Sequence, residues 1–414
     1  MEKIMKKVMI LGAGNGQMPL INICKKRGYE VIVVSIVGDY PGFYVADKVY
    51  NFDTRDKESI LAAAEKEKID AIMTDQTDVA VPTVAYVAEK LGLRGIGVEC
   101  AEKFTNKVKM RDVAKEAGLC SMKYASANNC QDACMIAEMI GYPVMMKPVD
   151  SSGSRGVVKC LNKDEIRNNF EKSISFSAFG EVIIEEYING IPYMVNGIAL
   201  GKYFNLDYGK KEYFEIPQIY LYKTIVLNSV KSNQIGKIEK SILDCNYKLV
   251  NAMGLKHGLT HGEFFYCPEN NKIYLIEIAA RGGGTFISSD LTPLNSGVNT
   301  NELMVDYFVE GIEASIEKID SKVSGYIRFA LPKGIVTKVE GADSIKQIKG
   351  VYKAYIDDVV VGLHTKETIC DTDIYGPILL MADSEDEFFS LAKKVKDIYK
   401  VYVQTDKGIK PIIW

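Results

Sequence analysis

Short apolar runs alternate with amphipathic stretches along the first 95 residues of the chain. The apolar runs have the length and composition of buried strands, and the stretches between them have helical spacing. This alternation is typical of a parallel sheet with helices on both faces, so it predicts an α/β domain over residues 1–97 that closes at the glycine-rich stretch 91–97. The predicted strands are Lys7–Leu11, Tyr29–Ile36, Lys48–Phe52 and Ala71–Thr74.

A different rhythm begins near residue 98. A charged helical pattern runs from Ala101 to Ala117 and ends at Gly118, a residue that suits a helix C-terminus. The strand patterns that follow predict an α+β domain over residues 98–324, and residues 325–414 predict a small sheet with one helix packed on it. The strand patterns are Val144–Lys147, Val157–Cys160, Val182–Glu185, Tyr326–Leu331, Val351–Tyr355 and Ile378–Met381, the last helix is Glu385–Tyr399, and the polar stretch Gly201–Glu215 is predicted as a loop or hairpin.

Composition excludes several classes of protein. Of the 414 residues, 47% are hydrophobic and 25% are charged, which is typical of globular chains and not of disordered ones. The 51 Lys and Arg residues against 54 Asp and Glu residues offer no basic surface for nucleic acid. The longest apolar run, Val31–Val37, is far shorter than the roughly 20 residues that span a bilayer. We expect no nucleic-acid or membrane partner, and nine cysteines without a CxxC pair indicate reduced thiols in the cytoplasm.

A glycine-rich turn follows the first predicted strand. Gly12, Gly14 and Gly16 open a helix, where free backbone N–H groups favour an anion, and Asn15 lies between them. Gln17 stands where the dinucleotide fingerprint needs a small residue, and no acid follows about 20 residues later, so nicotinamide binding is disfavoured. Two interpretations stay open: a tight strand-to-helix turn, or a site for a substrate anion.

Lys147 ends an apolar strand directly before a loop of small residues. A cation beside such a loop can contact phosphates while the backbone amides approach them closely. The alternative is a surface lysine before an ordinary turn. The loop comprises Ser151, Ser152, Gly153, Ser154, Arg155 and Gly156.

Two β-rich arms around a Pro-Glu-Asn-Asn turn form the strongest constellation. If the turn centres on Asn270, Glu263 pairs with Glu277 and shares a face with Phe265 and Leu275. Opposed carboxylates, about 5 Å apart between Cβ atoms, repel each other unless a divalent cation lies between them. The hairpin therefore predicts a Mg²⁺ site, and the alternative is two exposed glutamates at strand ends.

Arg281 follows this hairpin and precedes three glycines. The glycines would let a ligand approach the backbone, and the guanidinium is a fixed fork for phosphate or carboxylate that could stabilise negative charge during acyl transfer. His257 and His261 flank the hairpin. We interpret both histidines as structural, because no third nitrogen or sulfur ligand accompanies them.

In chain order, these residues resemble the motifs of the ATP-grasp superfamily, and the resemblance covers nearly the whole chain. The order and spacing of the motifs are specific, whereas no single motif is. The resemblance implies a Rossmann-like pre-ATP-grasp domain, a central two-lobed α+β ATP-grasp domain and a small C-terminal α+β domain. The motifs are Asn106-Lys107-x3-Arg111, Lys147 with its glycine loop, Glu185-Glu186-Tyr187-Ile188-x-Gly190, Glu263, and Glu277-x3-Arg281-Gly282-Gly283.

The resemblance also implies roles for these residues. ATP would lie between the two lobes, with Lys107, Lys147 and the small-residue loop on its phosphates and residues 185–188 at the adenine edge. Glu263 and Glu277 would hold Mg²⁺ or Mn²⁺, and Arg281 and Lys147 would be catalytic. The expected substrate contacts are Gly12, Gly14, Asn15, Gly16, Asp75, Arg281, Gly282 and Gly283.

Two positions depart from the family pattern. Ala279 stands where the family often has an asparagine ligand to the metal, so water or another residue must replace that oxygen. Pro192 stands where the family has an acid for the ribose hydroxyls, so ribose recognition cannot be carried over.

The expected activity is that of a carboxylate–amine ligase that forms an acyl phosphate and releases ADP and phosphate. The C-terminal segment is most similar to L-amino-acid ligases and carboxylase-type purine enzymes, whereas the tandem duplication of carbamoyl-phosphate synthetase and the Gly-Asp-Pro-Glu of glycinamide-ribonucleotide synthetases are absent. A purine-biosynthesis ligase and an ATP-binding protein without turnover stay open. The expected partners are a small carboxylate and an amine, and the family allows a homodimer.

Overall fold

The computed structural model describes residues 5–119, 122–151, 153–215, 221–233, 235–369 and 373–414. Residues 5–90 fold around a parallel sheet, as the sequence predicts, and its strand order is β3-β2-β1-β4. Strands β1, β2 and β4 are apolar along most of their length because helices cover both faces of the sheet, whereas the edge strand β3 is partly exposed. The elements are β1 (Lys7–Leu11), α1 (Met18–Lys26), β2 (Glu30–Ser35), α2 (Pro41–Val45), β3 (Lys48–Asn51), α3 (Lys57–Glu67), β4 (Ala71–Met73) and α4 (Val81–Lys90).

The helix predicted from Ala101 to Ala117 is two helices, α5 (Val98–Thr105) and α6 (Lys107–Glu116). Asn106 lies between them in an extended conformation, and its side chain accepts hydrogen bonds from the backbone N–H groups of Val108 and Lys109. Asparagine is among the preferred N-cap residues, so it ends one helix and begins the next. The break sets the direction of α6, whose first residue is Lys107.

A four-stranded antiparallel sheet, in the order β5-β8-β6-β7, forms one lobe. Helices α7 and α8 cover one face of this sheet, and their apolar residues form a separate core with it. The other face is left to a cavity. The elements are β5 (Tyr124–Ala127), α7 (Cys130–Ile140), β6 (Val144–Pro148), β7 (Val158–Cys160), α8 (Lys163–Ile174) and β8 (Val182–Glu186).

The remaining strands form two antiparallel sheets. The polar stretch 201–215 is strand β10, which forms a hairpin with β9 across Gly201. The elements are β9 (Ile191–Leu200), β10 (Lys202–Tyr213), β11 (Tyr222–Ser229), α9 (Lys237–Met253), β12 (His257–Cys267), β13 (Lys272–Ala279), α10 (Thr292–Ser296), α11 (Thr300–Val305), β14 (Val323–Phe329), β15 (Gly334–Glu340), α12 (Ala342–Lys346), β16 (Val351–Ala354), β17 (His364–Thr365), β18 (Tyr375–Ala382), α13 (Glu385–Ile398), β19 (Lys400–Thr405) and β20 (Gly408–Pro411), with π-helical turns at Ile287–Leu291 and Asp306–Glu310.

The larger sheet has eight strands in the order β13-β12-β9-β10-β11-β14-β18-β16. Three strands predicted to make a small sheet of their own, β14, β16 and β18, instead extend this sheet, because β14 pairs with β11. The second sheet has the order β17-β15-β19-β20. Apolar residues of both sheets and of α13 form one shared hydrophobic core.

The sequence also predicts no membrane-spanning helix and reduced cysteines. Across the described ranges, no helix combines the length and the apolar character that crossing a membrane requires. The seven cysteines within those ranges are free thiols, as expected, and most are buried.

Candidate active site

A cavity of about 890 Å³ lies between the four-stranded sheet β5-β8-β6-β7 and the eight-stranded sheet. It gathers the residues expected to bind nucleotide and metal, although they come from distant parts of the chain. Ser152, another expected contact, lies outside the described residues. The expected residues that line the cavity are Lys107, Lys147, Ser151, Gly153, Ser154, Gly156, Glu185, Glu186, Tyr187, Ile188, Glu263 and Glu277.

Glu185 forms ion pairs with two cations, Arg111 and Lys147, beside this cavity. Its carboxylate accepts from Arg111 Nε at 2.7 Å and from Lys147 Nζ at 2.6 Å, and the residue has no exposed surface. Burial would raise the pKa of Glu185, but the charges of Arg111 and Lys147 outweigh it and lower the pKa to about 2. Glu185 therefore holds the Lys147 ammonium in place, and its carboxylate is occupied by side chains of the chain itself.

Lys107 connects the small-residue loop to the hairpin. It lies one helical turn before Arg111, so both side chains leave the same face of α6. Lys107 Nζ donates to the backbone oxygen of Ser151 at 2.6 Å and lies 3.3 Å from Glu277 Oε1. Two cations, the buried Lys107 and the partly exposed Lys147, thus lie at the loop where phosphates are expected.

The small-residue loop is shaped by left-handed backbone. Gly153, Ser154 and Gly156 have φ angles of 67°, 59° and 73°. A Cβ on Gly156 would lie 3.1 Å from the backbone oxygen of Ser173 and closer still to two side chains, so only glycine fits there. The loop therefore turns tightly over the cavity with little side-chain bulk.

Seven apolar side chains form part of the cavity lining, here called the apolar slot: Met122, Met145, Val158, Phe214, Leu221, Phe265 and Ile276. Tyr187, which directly follows β8, also lines the cavity, and Lys159 Nζ lies 3.7 Å from the centroid of its ring. Apolar side chains of this kind accept a flat aromatic ring, and the placement of adenine beside residues 185–188 stays a prediction.

The hairpin pairs Glu263 with Glu277, as the sequence predicts. A bulge after Glu263 shifts the remaining pairs, so Phe265 faces Tyr274 and not Leu275. Phe265 lines the cavity with the two glutamates, but the expectation for Leu275 is wrong, since it packs in the core on the other face. The two carboxylates pair because of the bulge: its extra residue, Ile276, brings Glu263 opposite Glu277, whereas the register nearer the turn would place Glu263 opposite Ile276.

Three side chains contact the carboxylate of Glu263. Lys211 Nζ contacts Glu263 Oε1, His261 Nε2 lies 3.1 Å from the same oxygen, and the Tyr222 hydroxyl is 3.4 Å from Oε2. Burial would raise the pKa of Glu263, but Lys211 and His261 outweigh it and hold the pKa far below its ordinary range. Burial lowers the pKa of Lys211 despite this partner.

The two glutamates suit a hard divalent cation. Their side chains keep 20% and 35% of their surface, and both line the cavity. In the part of the chain that the structure describes, no three His, Cys, Asp or Glu side chains form a ready metal cluster. The donor set nevertheless fits Mg²⁺ or Mn²⁺, because a second carboxylate is the partner that such an ion needs.

Sequence reasoning did not find Lys211, although it did find the carboxylate that Lys211 contacts. Lys211 follows the exposed Lys210 on β10, and alternation along the strand turns Lys211 inward. A buried lysine in a strand is uncommon unless it is paired, so period-2 alternation is the signal that could have identified it. The structural role of the two histidines stays a prediction: His261 contacts Glu263, and His257 stacks on Tyr307.

Arg281 lies outside the cavity lining, at the junction with the N-terminal domain. Its Nε and Nη2 donate to the two carboxylate oxygens of Asp78 at 3.0 and 2.7 Å, and Nη1 donates to Gly282 O at 2.9 Å. Burial would lower the pKa of Arg281, but Asp78 outweighs it and the pKa is raised. The fork is thus held by Asp78 in this structure.

Asp75 fixes the loop that follows Arg281. It accepts from the backbone N–H of Gly282 and from Ser288 Oγ, both at 2.8 Å, and burial raises its pKa. A Cβ on Gly282 would lie 2.2 Å from Ser288 Cβ, and one on Gly283 would lie 2.9 Å from His261 Nδ1. These glycines therefore permit close packing of the chain on itself, whereas ligand access was expected.

The first glycine loop is filled by Gln17. Its Oε1 accepts from the Gly14 N–H at 3.1 Å, and its Nε2 donates to Asp75 O at 2.6 Å. A Cβ on Gly12, which has a φ of 96°, would lie 2.8 Å from the Gln17 side chain. Of the two open interpretations, this packing favours the tight turn. Asn15 is exposed, and Gly16 lies against Gln76.

The chain is similar in sequence to one domain family and to several characterised proteins. Residues 140–290 match the family model of the ATP-grasp domain. A formate-dependent phosphoribosylglycinamide formyltransferase from Methanocella arvoryzae is 26% identical over 288 residues, 66% of each chain. The alanine–anticapsin ligase of Bacillus subtilis is 28% identical over 282 residues, 63% of this chain and 58% of that protein. These alignments thus span less than two thirds of either relative.

Solved structures share the fold over nearly the whole chain. The L-amino acid ligase from Bacillus licheniformis has a TM-score of 0.80 at 19% identity and covers 97% of this chain and 100% of its own. The phosphoribosylglycinamide synthetase from Anaerococcus prevotii has a TM-score of 0.72 at 16% identity over 96% and 99% of the two chains. The resemblance expected from the motifs is confirmed.

Proposed function

We propose that the protein is an ATP-dependent carboxylate–amine ligase, since residues 140–290 match the family model of the ATP-grasp domain. One observation carries the proposal: one cavity brings together Lys107 and Lys147, a small-residue loop and a pair of opposed glutamates. This is the equipment for phosphoryl transfer, which depends mainly on positioning and charge and needs no nucleophilic side chain.

The chain's own residues divide the work of binding ATP. The apolar slot beside Tyr187 takes the adenine, and the loop 151–156 covers the phosphates while Lys107 and Lys147 neutralise them. Glu185 and Arg111 keep Lys147 in position. A Mg²⁺ or Mn²⁺ ion held by Glu263 and Glu277 would supply further neutralisation of the phosphate charge.

The proposed reaction has two steps. A carboxylate oxygen of the acid attacks the γ-phosphorus of ATP, and the bond to the ADP oxygen breaks, which yields an acyl phosphate and ADP. The amine nitrogen then attacks the acyl carbon, loses a proton and expels phosphate. Arg281, once released by Asp78, stabilises the negative charge of the acyl group, and the backbone around Gly282 and Gly283 lies beside it.

An assay of ADP release against pairs of carboxylates and amines tests this function. ADP formation that requires both partners supports the ligase. ADP formation with bicarbonate or formate, dependent on a purine-pathway ribonucleotide, would instead identify a purine-biosynthesis ligase, the second candidate favoured by the similarity to the formyltransferase. ATP binding without turnover under any pairing would indicate a binding protein and contradict the proposal.

Location, assembly and substrates are part of the proposal. Free thiols and the use of ATP support a cytoplasmic enzyme with small-molecule substrates. A homodimer is the proposed assembly, and light scattering on the full chain would measure it. The glycine loop at residues 12–16 supports the substrate region indirectly, because Gln17 connects it to Asp75.

A further inference from the structure

The connection between β17 and β18 brings an apolar side chain of the C-terminal region to the cavity. Ile369 lies in this connection and lines the cavity, whereas the residues expected there come from positions 107–277. Ile369 keeps 71% of its surface exposed, more than any other described apolar residue of the lining. The ATP-grasp motifs include no residue of this region, so they give Ile369 no role.

A buried carboxylate holds the backbone of Ile369 in place. Asp373 Oδ2 accepts from the Ile369 N–H at 3.0 Å, and Lys366 Nζ lies 2.6 Å from Oδ1 of the same carboxylate. Asp373 is buried, and so is Thr368, the residue before Ile369. The exposed side chain of Ile369 therefore leaves a backbone that is anchored by its neighbours.

The same anchor sets Ile369 beside the apolar slot. Ile374 directly follows Asp373 and packs with Phe214 and Leu221, two members of the slot, in a small hydrophobic cluster. Because the Ile369 N–H is hydrogen-bonded to Asp373, the Ile369 backbone lies close to this cluster. The hydrogen bond and the cluster together place Ile369 at the slot.

Ile369 has apolar surface left to bury, whereas each slot residue has less. Of the seven slot side chains, Met122, Phe214 and Leu221 are buried and the other four are half-buried. Hydrophobic stabilisation on binding is roughly proportional to the apolar area that the ligand removes from water, so Ile369 offers the larger gain. Isolated exposed apolar residues are common on proteins, and the anchor at the slot distinguishes Ile369 from them.

We propose that Ile369 packs against the adenine of bound ATP and that the C-terminal region contributes to nucleotide binding through this side chain. The base enters the apolar slot, and Ile369 covers ring surface that would otherwise face water. An aliphatic side chain neither donates nor accepts a hydrogen bond, so it strengthens the binding of a flat base without selecting among bases. This inference rests on the proposed function, which supplies the nucleotide.

Nuclear Overhauser measurements on the full chain with MgATP, in the absence of acid and amine, test the contact directly. The protein is deuterated except for ¹³C-labelled methyl groups of isoleucine, and the Ile369 signal is the one that disappears in Ile369→Leu. We expect an Overhauser contact between this methyl group and H2 or H8 of adenine. Bound ATP without that contact would overturn the proposal.

Calorimetry gives a second readout. Ile369→Ala should raise the dissociation constant for ATP about fivefold, because the variant loses most of the apolar surface that the base covers. Ile369→Leu keeps the size of the side chain and should retain the wild-type affinity. Val361→Ala is the matched control, since Val361 is 64% exposed in the same region and is not part of the cavity lining.

The outcomes separate this inference from the proposed function. Unchanged ATP affinity in Ile369→Ala, or an equal loss in Val361→Ala, would overturn the role of Ile369 and leave the ligase proposal standing. A raised KM for the acid with unchanged ATP affinity would assign Ile369 to the acid and also overturn its contact with adenine. Failure of the wild-type protein to bind ATP would overturn both proposals.

Discussion

A carboxylate with no exposed surface keeps its negative charge at the base of the cavity, because Glu185 lies between the guanidinium of Arg111 and the ammonium of Lys147. The arrangement places a positive charge at the cavity wall without leaving a buried charge unpaired. Arg111 and Glu185 are thus positioning residues, and Lys147 keeps a small exposed surface through which a phosphate can reach it.

Replacement of Lys147 with alanine should raise the dissociation constant for ATP at least about tenfold, since a phosphate in this enclosed site would lose its partner. The fold should persist, because Arg111 still neutralises Glu185. Calorimetry measures the affinity. Lys163→Ala is the matched control, since Lys163 lies in the same lobe but forms an exposed pair with Glu138. Equal ATP affinity in the two variants would show that Lys147 does not bind the phosphates.

Arg281 permits two accounts, because Asp78 holds its fork in this structure. If the guanidinium stabilises the acyl transfer, Arg281→Lys should lower kcat by about a hundredfold or more while ATP binding stays nearly intact, since lysine keeps the charge but not the fork. If the pair is only structural, melting temperature falls and turnover per folded molecule does not. Melting curves and ADP-release rates, measured side by side, separate the two accounts.

At the scale of elements, the hairpin shows what sequence can predict and where it stops. The predicted pairing of Glu263 with Glu277 is confirmed, but the register nearer the turn differs by one residue from the predicted one, and the extra residue Ile276 restores the pairing. The bulge just beyond Glu263 leaves no local signature, since it accommodates packing against neighbouring strands. Sequence therefore predicts the two carboxylates but misassigns Leu275.

Contacts between distant elements were harder to foresee. Lys211 reaches Glu263 only because β9 lies between β10 and β12 in the sheet. Strand order across a sheet depends on long-range packing, which periodicity does not report. Helix caps, in contrast, have a local sequence signal. Asn106 before a charged stretch is such an N-cap signal, although the predicted helix continued through it.

The Asn106 cap supports a prediction at this scale. Asn106→Ala should lower the free energy of unfolding by about 1 kcal/mol and also weaken ATP binding, because α6 begins with Lys107 and carries Arg111 one turn later. Asn106→Asp, which caps equally well, should restore stability. Chemical denaturation and calorimetry measure the two effects.

A second cap provides the control. Asn162 caps α8 by accepting from the Glu165 N–H, so Asn162→Ala should lose similar stability and keep its ATP affinity. Loss of ATP affinity in both alanine variants would show that the effect of Asn106 is general destabilisation of the fold and not displacement of α6.

Across the whole molecule, three parts of the chain meet at the loop after Arg281. The N-terminal domain contributes Asp75 and Asp78, which hold the loop backbone and the guanidinium. The C-terminal region contributes Lys353, whose Nζ donates to Asp290 at 2.7 Å, and the ring of Tyr355. The central domain supplies the loop itself. Substrate binding at this junction would therefore depend on contacts from every part of the fold.

The Tyr355 ring stabilises a strained segment of that loop. Thr285 and Phe286 have φ angles of 52° and 64°, a region that residues with a Cβ seldom occupy, and such strain persists only when neighbours enforce it. Tyr355 stacks on Phe286 with ring centroids 4.3 Å apart and planes 8° from parallel. Removal of the stack should let the loop relax and move the residues after Arg281.

We expect Tyr355→Leu to lower kcat/KM for the acid and the amine about tenfold while the affinity for ATP is unchanged, because the stack supports the substrate loop and lies away from the nucleotide cavity. Tyr355→Phe keeps the stacked ring and should retain wild-type kinetics. Steady-state kinetics with each substrate varied in turn, together with ATP calorimetry, measures the split. An equal loss for ATP and for the other two substrates would show that the stack supports the fold as a whole, and equal losses in the two variants would place the effect on the hydroxyl group.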